Sequence, residues 1–278
     1  MTGRRRTYGT HAVVTGAGSG IGRAFALDLA RRAGRVVCAD IDSTTAGKTA
    51  AEIKEQGGEA IAVECDVSSA DAVDHLAGAA RSWFGREPDL VVNNAGIGAG
   101  GRVVGDGPLS DWHRTISINL WGVIHGCHTF LPAMREAGAG GVINVASAAG
   151  FTAAPKMAAY NVSKAGVVSL SETLAAELSG TGVGVTVLCP TFVRTNIFGG
   201  ELIDATAARL ARRISGVVGF SPERVARMTL NAHDRGRLYV VPQPDARILW
   251  HAKRFLPGPY ARTAGLAGRF LPGAEPEN

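Results

Sequence analysis

The sequence predicts an α/β protein built on one doubly wound parallel sheet. Three observations carry that expectation. Short β-rich runs alternate with helical stretches up to residue 242, the order of βαβ units joined by crossovers. Several runs are apolar throughout, such as Val183-Gly184-Val185-Thr186-Val187-Leu188, as expected of strands covered on both faces. A glycine-rich turn over residues 15–22 joins the first strand to the first helix.

Taken in order, strands are expected at residues 11–15, 35–40, 60–65, 89–93, 141–147, 183–189 and 238–241. Amphipathic helices fill the gaps, among them residues 21–33, 44–56 and 70–84. No internal repeat or low-complexity linker interrupts the series, so residues 1–242 read as one unit. Residues 243–278 read differently, because Pro244, Pro257, Pro259, Pro272 and Pro276 cut them into short pieces. Between the prolines, Ile248, Leu249, Ala252, Phe255 and Leu256 fall at helical spacing beside Arg247, Lys253 and Arg254. This Pro-rich, basic and partly helical extension has two readings: a tail packed on its own domain or a neighbouring subunit, or a weak membrane-surface contact.

The 278 residues are 46% hydrophobic, enough for one large core. No apolar run reaches the roughly 20 residues that cross a bilayer. The basic start, Met1 to Arg6, is not followed by an apolar signal core, so a cytoplasmic location is expected. Net charge is +5, with arginines gathered towards the two ends. No interleaving of basic and aromatic residues marks a nucleic-acid module, so a solvated basic surface is the expectation. The four cysteines, Cys38, Cys65, Cys127 and Cys189, show no CxxC spacing and are expected as buried thiols. His125 and His128 flank Cys127 on a helix but lack a partner cluster, so no metal is expected. Ser147 lacks the Gly-x-Ser-x-Gly setting of a hydrolase nucleophile.

The glycine turn runs Gly16-Ala17-Gly18-Ser19-Gly20-Ile21-Gly22. Its spacing is Gly-x-x-x-Gly-x-Gly, with Ile21 where the last glycine of Gly-x-Gly-x-x-Gly would stand. Such a turn lets backbone approach a pyrophosphate, which the following helix N-terminus receives with free N–H groups. Asp40 ends the second strand eighteen residues after Gly22. A carboxylate there accepts both ribose hydroxyls of NAD and repels a 2′-phosphate, and Ala17, Ser19 and Ile41 offer no cation to one. Asp66-Val67 ends the third strand, where Asp66 either holds an adenine edge or makes an Asx turn. Asn93, Ala95 and Gly96, at the end of the fourth strand, should border the cofactor.

Tyr160 and Lys164 lie one helical turn apart. By themselves they are a common surface pair. Together with the glycine turn they suggest chemistry: an ammonium beside a phenol favours the phenolate, and a tuned phenol exchanges a proton with a carbonyl or alcohol oxygen.

In register, residues 15–22, 93–96, Asn119, Ser147 and Tyr160-x-x-x-Lys164 resemble the short-chain dehydrogenase/reductase family, over about residues 11–242. The resemblance implies a Rossmann-type seven-stranded sheet in the order 3-2-1-4-5-6-7. It implies an NAD(H)-dependent oxidoreductase acting on a secondary alcohol or ketone, working as a homodimer or homotetramer. It makes Tyr160 the general acid/base and Lys164 the residue that lowers the phenol pKa and binds the nicotinamide ribose. Ser147 would hold the substrate oxygen, and Asn119 would hold a water on the proton path. It adds Pro190, Val193 and Thr195 to the cofactor site. One departure stands out: Pro190-Thr191 replaces the family's common Pro-Gly, which puts the local turn in doubt. Phe151 and Phe192 are expected to face substrate, under an apolar lid over residues 192–220 that includes Ile197, Phe198, Leu202, Ile203, Leu210 and Phe220. The lid suggests an apolar substrate. An NADP-dependent reductase and a non-catalytic NAD sensor are the alternatives.

Overall fold

A computed structural model describes residues 6–269, without the side chain of Phe198. Arg4, Arg5, Pro272, Pro276 and the end of the extension lie outside the described residues.

Seven parallel strands form one sheet in the order β3-β2-β1-β4-β5-β6-β7. They are β1 (His11–Thr15), β2 (Arg35–Asp40), β3 (Glu59–Glu64), β4 (Leu90–Asn93), β5 (Gly140–Val145), β6 (Val183–Leu188) and β7 (Tyr239–Val240). The expected sheet and strand order are therefore present. The strand ends differ a little: Cys65, Ser147 and Cys189 lie just past their strands, and β7 is only two residues long.

Helices cover both faces of the sheet. They are α1 (Gly20–Arg31), α2 (Ser43–Glu55), α3 (Ala70–Phe84), α4 (Leu109–Ile116), α5 (Gly122–Glu136), α6 (Ala149–Thr152) and α7 (Ala158–Glu177). After β6 come α8 (Ala205–Val218) and α9 (Pro222–Asp234), and after β7 come α10 (Pro244–Phe255) and α11 (Pro257–Gly268). A π turn, Ser117–Trp121, joins α4 to α5. Capping fixes several starts. The side chains of Asp42, Ser69, Asp204 and Ser221 accept from first-turn N–H groups of α2, α3, α8 and α9.

Alternation along β1 explains the apolar runs. Val13 joins the core under α3, α5 and α7, while Ala12 and Val14 join the core under α1, α2 and α9. Central strands bury both faces, so both sets of positions must be apolar. Edge strand β3 instead exposes Glu59 and Glu64, as edge strands that resist pairing do. All four cysteines are buried free thiols. Among the described residues, no helix is long and apolar enough to cross a membrane.

His233 on α9 is enclosed against the sheet. Its Nδ1 pairs with Thr186 Oγ1 at 2.9 Å, and its Nε2 is buried without a partner. Burial, helped by nearby Arg6, pulls its pKa down to about 3. The folded protein therefore keeps His233 neutral where the unfolded chain would protonate it, from about pH 6.5 downwards. Stability from this group is complete above about pH 6.5 and is lost as pH falls towards 3. Urea midpoints should drop on acidification, by roughly 2 kcal/mol of stability between about pH 6.5 and 5 from His233 alone. His233→Gln should flatten that slope.

Candidate active site

Strand order reverses between β1 and β4, and the crevice beyond their carboxyl ends is where ligands of such sheets bind. The glycine turn fills the β1 side. Gly16 has φ +65°, and a Cβ there would come within 2.8 Å of Asn94 Nδ2. A Cβ on Gly22 would meet the Gly16 carbonyl at 2.0 Å. Both positions exclude any side chain. Gly20, at φ +54°, faces Thr195, whose Cγ2 is 3.1 Å from the place of a Cβ. Ser19 begins α1 without a side-chain cap, so first-turn N–H groups of the helix remain available to an anion. Ile21 packs on the core beneath, which accounts for an apolar residue in the last glycine's place.

Asp40 stands at the rim. Its Oδ2 accepts from Gly18 N at 2.9 Å and its Oδ1 from Asp42 N at 3.1 Å. Gly18, inside the turn, has no room for a side chain, since a Cβ there would lie 2.1 Å from Thr45 Oγ1. Asn94, in the segment after β4 expected to border the cofactor, braces the turn. Its Nδ2 donates to the carbonyls of Thr15 and Gly16 at 2.9 and 3.2 Å, tying the turn to the end of β4.

Two expected cofactor side chains have partners within the protein. Asn93 is buried, donates to Asn144 Oδ1 at 2.9 Å, and lies against Gly126 of α5. Its side chain belongs to the core beneath the sheet, and only the chain after it reaches the crevice. Asp66 Oδ1 accepts from Ser68 N and Ser68 Oγ at 2.9 and 2.7 Å, an Asx turn that does not involve Oδ2. The Val67 carbonyl pairs with His125 Nδ1 at 2.9 Å.

Tyr160, Ser163, Lys164 and Val167 form the buried side of α7. Ser147 lies just past β5, where its Oγ donates to the Pro190 carbonyl at 3.4 Å and accepts from Ala149 N at 3.2 Å. Lys164 Nζ donates to the Val145 carbonyl at 3.0 Å and lies 5.8 Å from the centre of the Tyr160 ring. Gly96 closes over it, since a Cβ there would be 3.4 Å from Nζ and 2.9 Å from Asn119 Oδ1. The structure thus brings Ser147, Tyr160, Lys164 and Gly96 together.

The electrostatics differ from the simple expectation. Burial pushes the Tyr160 phenol above its usual value, and the Ser147 hydroxyl opposes that rise. Burial also draws Lys164 down to about 8, against a smaller upward pull from Cys189. Burial is the larger influence on the phenol, while the Lys164 ammonium is committed to the Val145 carbonyl.

Asn119, in the π turn, is fully buried. Its Nδ2 donates to the Ile97 carbonyl at 2.9 Å and its Oδ1 accepts from Ile97 N at 2.8 Å. The amide is spent on holding the strand-end segment in place.

Beside the site, a cleft of about 120 Å³ is lined by Val104, Trp112, Met157, Leu202 and Ile203 together with the charged Arg102, Asp111, Lys156, Glu201 and Asp204. Main-chain bonds stitch its walls: Gly100 N to the Leu202 carbonyl, Asp204 N to the Gly100 carbonyl, and Gly101 N to the Lys156 carbonyl. Phe151 is a correction. It stacks on Trp250 of α10 at 5.2 Å and packs in the core. Leu210 and Phe220 also leave the cleft. Leu210 is at the surface, and Phe220 sits under the Arg224 guanidinium at 3.7 Å.

The family profile described as short chain dehydrogenase matches residues 10–204. The chain belongs to the short chain dehydrogenase family. A probable oxidoreductase, EphD, of Mycobacterium tuberculosis is 38% identical over 92% of this chain, which spans only 45% of that relative's length. The 1-deoxy-11-beta-hydroxypentalenate dehydrogenase of Streptomyces exfoliatus is 36% identical, covering 85% of this chain and 84% of the relative. Among solved structures, a short chain dehydrogenase/reductase from Burkholderia phymatum in complex with NAD is 34% identical, with TM-score 0.83 and 96% of each chain covered.

Within this short chain dehydrogenase, the turn after β6 resolves the doubt raised by Thr191. Gln243, buried just after β7, clamps it with both ends of its amide. Its Oε1 accepts from Thr191 N at 3.2 Å and its Nε2 donates to the Phe192 carbonyl at 2.9 Å. The turn leads into Val193, buried and bridged to Phe220, and on to Thr195 opposite Gly20. Sequence reading could not find Gln243, whose partners lie about fifty residues earlier. Gln243→Leu leaves a main-chain N–H and carbonyl unpaired and should loosen the Thr195 wall. KM for the cofactor should rise by about tenfold, with a smaller change in kcat. Steady-state kinetics would check this.

Proposed function

We propose that the protein is an NAD(H)-dependent alcohol dehydrogenase or ketone reductase acting on an apolar secondary alcohol or ketone. The observation that carries this reading is the burial of Tyr160 and Lys164 on one face of α7, with Nζ 5.8 Å from the phenol ring centre and Gly96 closing over it. The residues present fit a dinucleotide: a side-chain-free cradle at Gly16 and Gly22, an open helix N-terminus, and a carboxylate at the rim. Pro190, Val193 and Thr195 would hold the nicotinamide end, and Ala95 and Gly96 the ribose side. Bound there, the nicotinamide would supply or take up the hydride.

The chain's own residues then have one proton to manage. In reduction, the Tyr160 hydroxyl donates its proton to the substrate oxygen. In oxidation, the phenolate takes that proton from the alcohol. Ser147 donates a hydrogen bond to the same oxygen and orients it. Lys164, as an ammonium, favours the phenolate and donates to ribose hydroxyls. Asn119 fixes Ile97 and offers its main chain to a water that leads protons away.

NAD over NADP rests on Asp40, whose carboxylate sits at the cradle beside Gly18 N. An apolar substrate rests on Met157, Leu202 and Ile203 around the cleft. A homodimer or homotetramer rests on Trp121 and Val162, half-exposed apolar residues on the outer sides of the π turn and α7. The test is a screen of apolar secondary alcohols and ketones with NADH, NADPH and their oxidised forms. Turnover with kcat/KM favouring NADH supports the reading. A strong preference for NADPH would remove the NAD assignment, and NADH binding without turnover of any compound would favour a sensor.

A further inference from the structure

Helix α10 divides its circumference into three strips. One faces inwards: Ala246 is fully buried, and Trp250 packs between Phe151 and Tyr239. A second carries Arg247, His251 and Arg254. The third is apolar and turned to solvent, with Ile248 68%, Phe255 74% and Leu256 59% exposed. Leu266 of α11 adds another exposed apolar side chain. The inward strip already fastens the helix to the protein, so the outer strip is not needed for folding.

Charge narrows what can cover this strip. Residues 244–269 hold five cations, Arg247, Lys253, Arg254, Arg262 and Arg269, against one anion, Asp245. Glu275 and Glu277 follow, so residues 244–278 together carry a net charge of +2. A second copy related by a twofold axis would set the same patch against itself, cation facing cation. A bilayer with anionic headgroups satisfies both parts: exposed Leu, Ile and Phe enter the acyl boundary, and flanking Arg and Lys meet the lipid phosphates.

We propose that α10 and α11 seat the protein on an anionic membrane surface. The attachment lies next to the candidate active site. Tyr260 Oη donates to the Thr152 carbonyl at 2.7 Å, and Gly268 packs so closely on Pro155 that a Cβ would come within 2.9 Å. The next residues, Lys156 and Met157, line the cleft. Docking would bring the cleft mouth to the bilayer, where an apolar alcohol or ketone partitions. The surface itself stands whatever chemistry the site performs.

The test is flotation of the full chain with vesicles of phosphatidylcholine alone and of an equal mixture with phosphatidylglycerol. The protein should float with the mixture, less so at high salt, and hardly at all with phosphatidylcholine. Ile248→Ser with Phe255→Ser should weaken partition to the mixture by about tenfold or more, with the melting temperature unchanged. Arg254→Gln with Arg262→Gln should weaken it without altering the apolar strip. Failure to float with the mixture, or equal flotation of both variants, would overturn the proposal. So would dissociation of an oligomer by the Ile248/Phe255 variant in sedimentation velocity, which would assign the strip to a second copy.

Discussion

Tyr160→Phe should lower kcat by about 10²–10⁴-fold while leaving the Kd for NADH within about twofold. The reason is local. The substitution removes one hydroxyl and keeps the ring that fills the buried face of α7. Ser147 retains its reach to the Pro190 carbonyl, and Lys164 retains its bond to Val145. The cradle at Gly16–Gly22 and the carboxylate of Asp40 do not touch the ring, so dinucleotide binding has no reason to change. Burial already disfavours the ionised phenol, so its loss costs the fold little. The melting temperature should stay within a few degrees. A large kcat loss together with an unchanged Kd is the signature of a group that acts on the reacting oxygen.

Lys164→Met should damage both quantities. An ammonium that meets ribose hydroxyls and supports the phenolate contributes to binding and to proton transfer alike. The expected result is a loss in kcat of about 10²-fold or more, with a rise of about tenfold in the Kd for NADH. Stability should move the other way. Burial holds the folded-state pKa of Lys164 at about 8, below the usual lysine value. Below about pH 8 the ammonium is carried in both states, and its desolvation weighs against folding. Between about pH 8 and 10.5 the folded protein binds fewer protons than the unfolded chain, so this group's contribution to stability rises with pH. Methionine removes the buried charge, so the variant should melt at an equal or higher temperature at pH 7. In the wild type, kcat/KM for NADH reports the free enzyme and should fall as pH passes about 8, where Lys164 loses its proton. A flat profile to pH 10 would show that the charge on Lys164 does not matter.

The sheet was legible because its strands are buried on both faces and so are written as unbroken apolar runs. The same burial makes β7 hard to bound, since Leu238 and Val241 are apolar but only Tyr239 and Val240 pair with β6. Gly16, Gly20, Gly22, Asp40, Tyr160 and Lys164 were legible from spacing, because turns and helices convert short sequence intervals into fixed geometry. What spacing cannot carry is a contact made across the fold. Phe151 meets Trp250, and Gln243 grips Thr191 and Phe192, through pairings that no local pattern announces. Asn93 shows a different limit. At a strand end one residue faces the crevice and its neighbour faces the core, and the run Asn93-Asn94 does not say which is which. The π turn at Asn119 likewise depends on how α4 meets α5, and no proline or glycine at that residue signals it.

The ionisation of Tyr160 with cofactor bound can be observed directly. The tyrosinate absorbance near 295 nm, titrated for wild type and for Tyr160→Phe with saturating NAD, isolates residue 160 by difference. The expected result is a midpoint clearly below the usual tyrosine value of about 10, moving back up in Lys164→Met. A midpoint at or above 10 with NAD bound, or one indifferent to Lys164, would contradict the assignment of Tyr160 as the acid and base of this site.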